Sequence, residues 1–408
     1  MATHVHKTPR LLLVAGEASG DLHGSNLARA LRAQRPDLQL LGVGGRRMRE
    51  AGVDVLFDIR ELAVVGAVEA LHSVRALWTI YRRLLAQVER EPVDAVLLID
   101  FPGFNLKLAR AMTQRGLPVL YYIAPQIWAW RPGRIKKIRR RVRKLFVILP
   151  FEASLYRQAG IDAEFVGHPL LDVVRPTLAK AEFCARHGLD PEAPIVGLLP
   201  GSRRSELRYL LRPMLEAAAL IRSGLDSVQF ILPLAETIEP ADVQGALAAA
   251  PMAVRLVQHQ TYEVMQLADV LLVASGTATL EAALLGTPMV IAYKGHLLSY
   301  LLARLLVRVR CIGLPNIIAG RPIVPELHQY AVTAEHMAAQ ALELLTHADR
   351  AATMRIELAK IRRQLGTPGV PGHVAEGVLR YLETCTAQAG RAGISARMAQ
   401  ACPRERPT

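Results

Sequence analysis

Residues 269–293 read DVLLVASGTATLEAALLGTPMVIAY: a short apolar run, a turn, a helical segment and a second apolar run. Each apolar run is short and rich in leucine and β-branched residues, which favours a buried strand over a helix. Gly286 follows the helical segment, where glycine commonly ends a helix. The stretch predicts a strand–helix–strand unit with parallel strands.

The same alternation recurs in two series along the chain. The first comprises LLLVA (11–15), LQLLGVG (38–44), DAVLLID (94–100), PVLYYIA (118–124) and KLFVILP (144–150). The second comprises IVGLLPG (195–201), VQFILPL (228–234), VRLVQ (254–258), DVLLVAS (269–275) and PMVIAY (288–293). Continuous apolar strands alternating with helices indicate parallel sheets covered on both faces. We therefore predict an α/β protein of two doubly wound, Rossmann-like domains.

The length of 408 residues and a hydrophobic share of 51% suffice for two cores. A stretch rich in Pro and charge at 168–192 separates the series, so we place the first domain at 1–180 and the second at 181–386, with the last helices crossing back to the first domain. Residues 387–408 show no apolar periodicity, and we predict a disordered tail there.

Cysteine usage and hydropathy exclude several classes of protein. The cysteines form no CxxC pair, which fits neither a disulfide framework nor a zinc site and indicates reduced thiols in the cytosol: Cys184, Cys311, Cys385 and Cys402. No stretch reaches the roughly 18 apolar residues that a spanning helix needs. The N-terminus lacks the apolar region of a signal peptide. We expect a protein that is soluble or lies on a membrane surface.

The net charge of +14 is concentrated in AWRPGRIKKIRRRVRKLF (129–146), which contains nine Lys or Arg and no acid. Ile135, Ile138 and Val142 follow helical spacing, so a connecting helix would show cations on its outer faces. An anionic membrane surface is the favoured partner of this face. A solvated helix face without a ligand, or nucleic acid, is the alternative.

Carboxylates follow two strands of the first series, at the sheet edge where open parallel sheets bind ligands. Glu17 lies in AGEASGDLHG after the first strand, and Asp100 ends DAVLLID. Apolar surroundings can raise the pKa of Asp100 towards that of a general base. Each turn also has a structural alternative. After the first strand, Ser19 or Asp21 could cap the next helix. After DAVLLID, Asp100 could cap the next helix, although Asn105 suits that role better.

Two turns of the second series suit an anion. In PGSRRSE (200–206), Ser202 leads into a helix N-terminus and Arg203 or Arg204 can reach an anion held there; a solvated arginine pair is the alternative.

The other turn lies within the opening stretch. Ser275, Gly276 and Thr277 bring backbone N–H groups to the start of a helix, which suits a diphosphate. Glu281 lies one turn further on the same face and can accept hydrogen bonds from a ribose diol.

These motifs together resemble a known family. SGT…E…GTPMVIAY is similar to the nucleotide-sugar half of GT-B glycosyltransferases. AGEASGD, IDFPGFN, YYIAPQIWAW, VGHPL, PGSRRSE and GLPNIIAG resemble lipid-A-disaccharide synthases, in order from about Leu11 to Gly377. The resemblance implies two domains facing a central cleft. It also implies an inverting transfer that joins UDP-2,3-diacylglucosamine to 2,3-diacylglucosamine 1-phosphate through a β-1′,6 bond and releases UDP.

The resemblance also implies roles for single residues. Asp100 is the candidate base, with Glu17 as a cleft residue and the next candidate. Arg203 matches a phosphate-contacting arginine, Glu281 a ribose-binding carboxylate, and Asn316 a cleft residue near UDP. No metal or other cofactor is implied. The expected location is the cytoplasmic face of the inner membrane of a Gram-negative bacterium; a homodimer is allowed and a nucleic-acid partner is not.

An apolar stripe in GAVEALHSVRALWTIYRRLL (66–85) follows helical spacing and comprises Val68, Leu71, Val74, Leu77 and Trp78. A core-facing helix explains it in the ordinary way. For an enzyme with acylated substrates, the stripe could instead enter the bilayer edge and shelter acyl chains. LLSYLLARLL (297–306) is a weaker candidate of the same kind.

Two rival functions stay open. One is another UDP-sugar enzyme on the same scaffold, such as a UDP-N-acetylglucosamine epimerase or the peptidoglycan N-acetylglucosamine transferase. The other is a nucleic-acid-binding protein, which would leave Asp100 and Glu281 without a role.

Overall fold

The computed structural model describes the backbone of residues 8–61, 69–128, 133–296 and 311–400, and the side chains of 8–60, 77–128, 133–296 and 311–385. The chain divides into two compact units. Within the described residues, the first unit contains the chain up to residue 127, residues 133–169 and the chain from 369 onward. The second contains residue 128 and residues 170–368.

The first unit is built on a sheet of seven parallel strands in the order β3-β2-β1-β4-β5-β6-β7. The strands are β1 Arg10–Ala15, β2 Gln39–Gly44, β3 Asp54–Asp58, β4 Ala95–Ile99, β5 Val119–Tyr122, β6 Lys144–Val147 and β7 Ala163–Phe165. The helices between them are α1 Ala18–Gln34, α2 Arg46–Glu50, α3 Glu69–Arg90, α4 Pro102–Gln114, α5 Arg134–Arg141 and α6 Pro150–Gln158.

The second unit repeats this plan with six parallel strands in the order β10-β9-β8-β11-β12-β13. The strands are β8 Ile195–Leu199, β9 Gln229–Leu234, β10 Val254–Gln258, β11 Val270–Ala274, β12 Met289–Tyr293 and β13 Glu326–His328. Its helices are α7 Leu170–Val173, α8 Lys180–His187, α9 Arg204–Gly224, α10 Ala241–Ala248, α11 Thr261–Leu267, α12 Thr277–Leu285, α13 Leu314–Ala319, α14 Ala334–Thr346 and α15 Ala348–Gln364.

A last helix, α16 Val370–Gln400, belongs to the first unit and covers one face of its sheet. Val370, Val374 and Val378 are fully buried in a core shared with Leu13 and Leu97. Helices α3 to α6 cover the opposite face of that sheet. Both faces are therefore dry, which explains why the strands read as continuous apolar runs.

The prediction of two doubly wound parallel sheets is confirmed, and every predicted strand is present. Three further strands lie at sheet edges, where half-exposed backbone needs no apolar run: β3, β7 and β13.

Helix α16 continues to Gln400, through much of the stretch from residue 387 where we predicted a disordered tail. Alanine, arginine, methionine and glutamine favour a helix even without a repeating apolar face. Residues 401–408 lie outside the described part. No helix among the described residues is long and apolar enough to cross a membrane.

Candidate active site

In both sheets the strand order reverses at the same place, between the first and the fourth strand of the unit. Ala15 of β1 pairs with Ile99 of β4, and Leu199 of β8 pairs with Val273 of β11. The loops after two such strands diverge, which leaves a crevice beyond their carboxyl ends. The residues predicted to act in catalysis or to bind UDP, apart from Asn316, follow these four strands.

The turn after β4 holds Asp100 in an uncommon backbone conformation. Asp100 and Phe101 both have positive φ values, 45° and 46°. Non-glycine residues adopt this region only where the surroundings enforce it, often at functional sites. The Asp100 carbonyl accepts hydrogen bonds from the Tyr121 hydroxyl and from Nδ2 of Asn105, the latter at 2.8 Å. Asn105 thus stabilises the turn rather than capping a helix, because α4 already begins at Pro102.

Burial raises the pKa of the Asp100 carboxyl, and the charge of Glu17 raises this pKa further. A hydrogen bond from the Phe101 N–H acts in the opposite direction. Glu17 is exposed and stands at the N-cap position of α1, yet its side chain makes no capping bond. The structure therefore brings the two predicted carboxylates within electrostatic reach of each other. The Asp100 carboxylate is more basic than that of an ordinary aspartate.

Asp21, which the sequence suggested as a cap for its own helix, caps a different one. Its buried carboxylate accepts hydrogen bonds from the backbone N–H groups of Gly45, Arg47 and Met48 at 2.6–3.1 Å. These are the first N–H groups of α2. Asp21 is thus structural, which leaves Glu17 as the carboxylate of this turn that is exposed to solvent.

Two histidines of the first unit, His168 (buried) and His23 (half-buried), were not identified in the sequence analysis. Burial lowers the pKa of His23 and of His168 to about 4, and for His168 the charge of His23 acts in the same direction. His23 packs edge-on against Tyr122, with ring centroids 6.3 Å apart. His168 belongs to VGHPL, which was recognised only as part of the resemblance. Both rings are neutral at pH 7.

A cavity of about 350 Å³ in the second unit lies between the turns after β8 and β11. It brings together six of the seven residues predicted to bind UDP: Ser202, Arg203, Ser275, Gly276, Thr277 and Glu281. At its floor α12 begins at Thr277, with no side-chain cap and no acid in its first turn. The start of this helix therefore suits an anion.

Glu281 is positioned by a tyrosine that the sequence gave no reason to select. The Tyr262 hydroxyl donates a hydrogen bond to Oε1 of Glu281 at 3.3 Å. Burial raises the pKa of Glu281, and the bond from Tyr262 lowers it. The hydrogen bond occupies one carboxylate oxygen and leaves the other for a second donor.

The two arginines of PGSRRSE differ in whether they line this cavity. Arg203 lines the cavity, its guanidinium 3.2 Å from Oε1 of Glu206. Arg204 begins α9 and pairs with Asp242 at 3.1 Å. Arg203 is therefore the arginine that can contact an anion in this cavity.

Asn316, the seventh residue predicted to bind UDP, is not among the residues that line this cavity. Its side chain is buried and fully hydrogen-bonded: Oδ1 accepts from the N–H groups of Ile323 and Val324 at 2.7 and 3.0 Å. Nδ2 donates to the Val324 carbonyl and to Glu326. The amide holds the segment between α13 and β13, so it has no donor or acceptor left for UDP.

The basic run forms α5 as predicted, with Ile138 fully buried and Val142 buried just after the helix. Its cations differ in exposure: Arg141, for example, is half-buried and donates a hydrogen bond to the Leu106 carbonyl. Lys144 is inward-facing and pairs with Asp162 and Glu164. The solvent-exposed cations on α5 are Lys136, Lys137, Arg139 and Arg140.

The apolar stripe is described only in part. Val68 and residues 297–306 lie outside the described residues, and Leu71 and Val74 belong to α3 without described side chains. Leu77 packs against the core of the first unit. Trp78 is 60% exposed, and the Arg82 guanidinium lies 4.8 Å from the centre of its ring.

Comparisons with known proteins identify the family of the chain. The family described as lipid-A-disaccharide synthetase matches residues 11–369. A lipid-A-disaccharide synthase of Syntrophus aciditrophicus is 46% identical over 374 residues, which are 91% of this chain and 98% of the relative.

Two solved structures share the fold at much lower identity. A UDP-GlcNAc 2-epimerase from Neisseria meningitidis bound to UDP-GlcNAc is 12% identical, with a TM-score of 0.58 over 91% of this chain and 100% of that chain. The glycotransferase of kitacinnamycin is 15% identical, with a TM-score of 0.59 over 92% and 100%. These two establish the architecture, whereas the sequence match discriminates within it: the chain belongs to the lipid-A-disaccharide synthetase family.

Proposed function

We propose that this chain is an inverting glycosyltransferase that joins UDP-2,3-diacylglucosamine to 2,3-diacylglucosamine 1-phosphate through a β-1′,6 bond. The products are lipid A disaccharide 1-phosphate and UDP. Family membership supports this reaction. One observation in the structure carries it: the turns after β8 and β11 and Glu281 line a single cavity.

In this proposal the second unit binds the UDP part of the donor. The diphosphate lies at the N-terminus of α12, on the N–H groups that follow Gly276, and Arg203 contacts it from the turn after β8. Glu281 accepts hydrogen bonds from the ribose hydroxyls. As the bond from the sugar C1′ to the diphosphate breaks, Arg203 and the helix dipole stabilise the charge that develops on UDP.

The first unit supplies the base. Asp100 accepts the proton of the acceptor's 6-hydroxyl while that oxygen attacks C1′ from the face opposite UDP, so the configuration inverts. Burial and the charge of Glu17 raise the pKa of Asp100, which makes it a better proton acceptor than an exposed aspartate.

We also propose that the first unit holds the enzyme to anionic lipid on the cytoplasmic face of the inner membrane. Helices α3 and α5 pack against the same core, through Ile80 and Ile138, and thus lie on the same side of the sheet. Exposed Trp78 and the cations of α5 are carried by this layer. Aromatic rings beside Lys and Arg suit a membrane interface.

The reaction is tested by incubating the purified protein with both lipid substrates and analysing the products by mass spectrometry. The expected result is disaccharide 1-phosphate and UDP in equal amounts. Conversion of UDP-N-acetylglucosamine to its 2-epimer, with no disaccharide, would instead identify an epimerase. Asp100→Asn serves as the inactive control.

A further inference from the structure

The carboxylate of Glu206 already occupies the donors of the turn after β8. Its Oε2 accepts hydrogen bonds from the backbone N–H groups of Ser202 and Arg203, at 2.9 and 3.3 Å. Its Oε1 lies 3.2 Å from Nη1 of Arg203. Glu206, Ser202 and Arg203 all line the nucleotide cavity. The groups suited to an incoming phosphate are thus held by an acid of the chain itself.

The backbone is shaped to admit this carboxylate. Gly201 has a φ of 123°, and a Cβ at this position would stand 2.3 Å from Oε2 of Glu206. No side chain could replace this glycine without displacing the carboxylate. The turn and the Glu206 carboxylate therefore form one unit.

Glu206 also changes the charge that a diphosphate meets. Among the described residues that line the cavity, Arg203 is the one cation, and Glu206 and Glu281 are the two acids. Because Glu206 directly faces Arg203, it offsets the charge that would otherwise attract a phosphate. Its side chain is 26% exposed, so solvent screens this repulsion only in part.

We propose that Glu206 is a positioning residue that acts as a placeholder for the diphosphate. It holds Arg203 and the turn in place, and its negative charge weakens the binding of UDP, so that the product leaves after transfer. This inference rests on the proposed function, since it takes the cavity to bind UDP.

The test compares wild type with Glu206→Gln by calorimetry with UDP and with uridine. Glutamine keeps an oxygen that can accept from both N–H groups but removes the charge. UDP should bind about 3- to 10-fold more tightly, as expected for removing a nearby like charge in a partly exposed site. Uridine, which has no phosphate, should bind equally to both proteins. The gain for UDP should shrink as salt is added.

Two further variants make the result specific. Glu216→Gln removes the same charge from α9, at an exposed residue that pairs with Arg212, and should leave the Kd for UDP unchanged. Glu206→Ser removes the charge and keeps a hydroxyl in the first turn of α9, so it gives the same test if the glutamine variant does not fold.

The outcomes separate the two proposals. If wild type binds UDP and both Glu206 variants bind it equally or more weakly, Glu206 is a helix cap and the placeholder role is wrong. A gain for uridine as large as that for UDP also overturns it, because the effect would then not involve phosphate. Failure of wild type to bind UDP at all would overturn the proposed function itself.

Discussion

The ring of Phe101 lies against the backbone of Gly16, so closely that a Cβ at Gly16 would stand 2.1 Å from Cδ1 of the ring. The glycine after β1 thereby leaves room for the strained turn after β4. Gly16→Ala should displace Phe101, lower the free energy of unfolding by about 1–3 kcal/mol, and reduce turnover with it. Denaturant unfolding and steady-state kinetics measure both effects.

Gly103→Ala is the matched control for that substitution. Gly103 lies in the first turn of α4, and a Cβ there would meet no atom within 4 Å. Its stability should stay within about 1 kcal/mol of wild type. Equal behaviour of the two alanine variants would show that the contact between Gly16 and Phe101 does not shape the turn.

Asp100→Asn should reduce kcat by about 10²–10⁴-fold, the usual cost of losing a general base. Asparagine keeps an oxygen that can accept from the Phe101 N–H, so the turn should survive. UDP affinity, measured by calorimetry, should be unchanged because the nucleotide cavity belongs to the other unit. Near-normal turnover would mean that the base lies elsewhere, with Glu17 next in line.

Glu17→Gln should retain turnover and shift its pH dependence. The charge of Glu17 raises the pKa of Asp100, so removing that charge lowers it. A base works only when deprotonated, and therefore the acid limb of kcat/KM should move to lower pH. Glu50→Gln, an exposed residue of α2 that pairs with Arg46, should leave the limb in place. Loss of turnover at every pH in the Glu17 variant would instead identify Glu17 as the base.

Glu281→Ala should weaken UDP binding by roughly 1.5–3 kcal/mol, the typical value of hydrogen bonds to a charged group. The ribose hydroxyls can be identified as its partners with 2′,3′-dideoxy-UDP. Wild type should bind this analogue more weakly than UDP, whereas the variant should not distinguish the two. A variant that still prefers UDP to the same degree would remove Glu281 from the ribose site.

Replacing four exposed cations of α5 by glutamine should release the protein from anionic vesicles at low salt: Lys136, Lys137, Arg139 and Arg140. Each basic residue near such a surface contributes about 1 kcal/mol, and the attraction fades with salt. Turnover on detergent-dispersed substrate should be spared. As a control, a variant in which four exposed arginines of the second unit are replaced by glutamine should still co-sediment with the vesicles: Arg208, Arg212, Arg355 and Arg363. Identical sedimentation of all three proteins would contradict a membrane role for α5.

Lys144 is excluded from that set for a structural reason. It belongs to the same basic run, but it lies 2.9 Å from Glu164 with only 17% of its side chain exposed. The composition of the basic run does not show which of its cations are paired. Lys144 is paired because β7, which carries Glu164, lies beside β6.

The sequence predicts those features that local patterns encode. The inner strands are apolar throughout, and the turn residues around Gly276 and Ser202 follow them at fixed spacing, so their meeting in one cavity is predictable. The hydrogen bond between Tyr262 and Glu281 is different, since it joins residues 19 positions apart on neighbouring helices. The hydrogen bonds of Asn316 to Val324, Ile323 and Glu326 likewise depend on the tertiary fold and could not be predicted from its motif.

The placement of α16 has a consequence for how the chain is made. One wall of the first unit's core stays incomplete until residues from Val370 onward have been synthesised, because α16 shares that wall with α1. Gly377 packs so closely on Phe146 that a Cβ there would stand 2.4 Å from the ring. At about 5–20 residues per second, the ribosome needs roughly 10–40 s to translate the second unit in between. During that interval the second unit can complete its fold first, while the part of the N-terminal sheet that α16 will cover stays exposed. A chaperone would be most useful in this period.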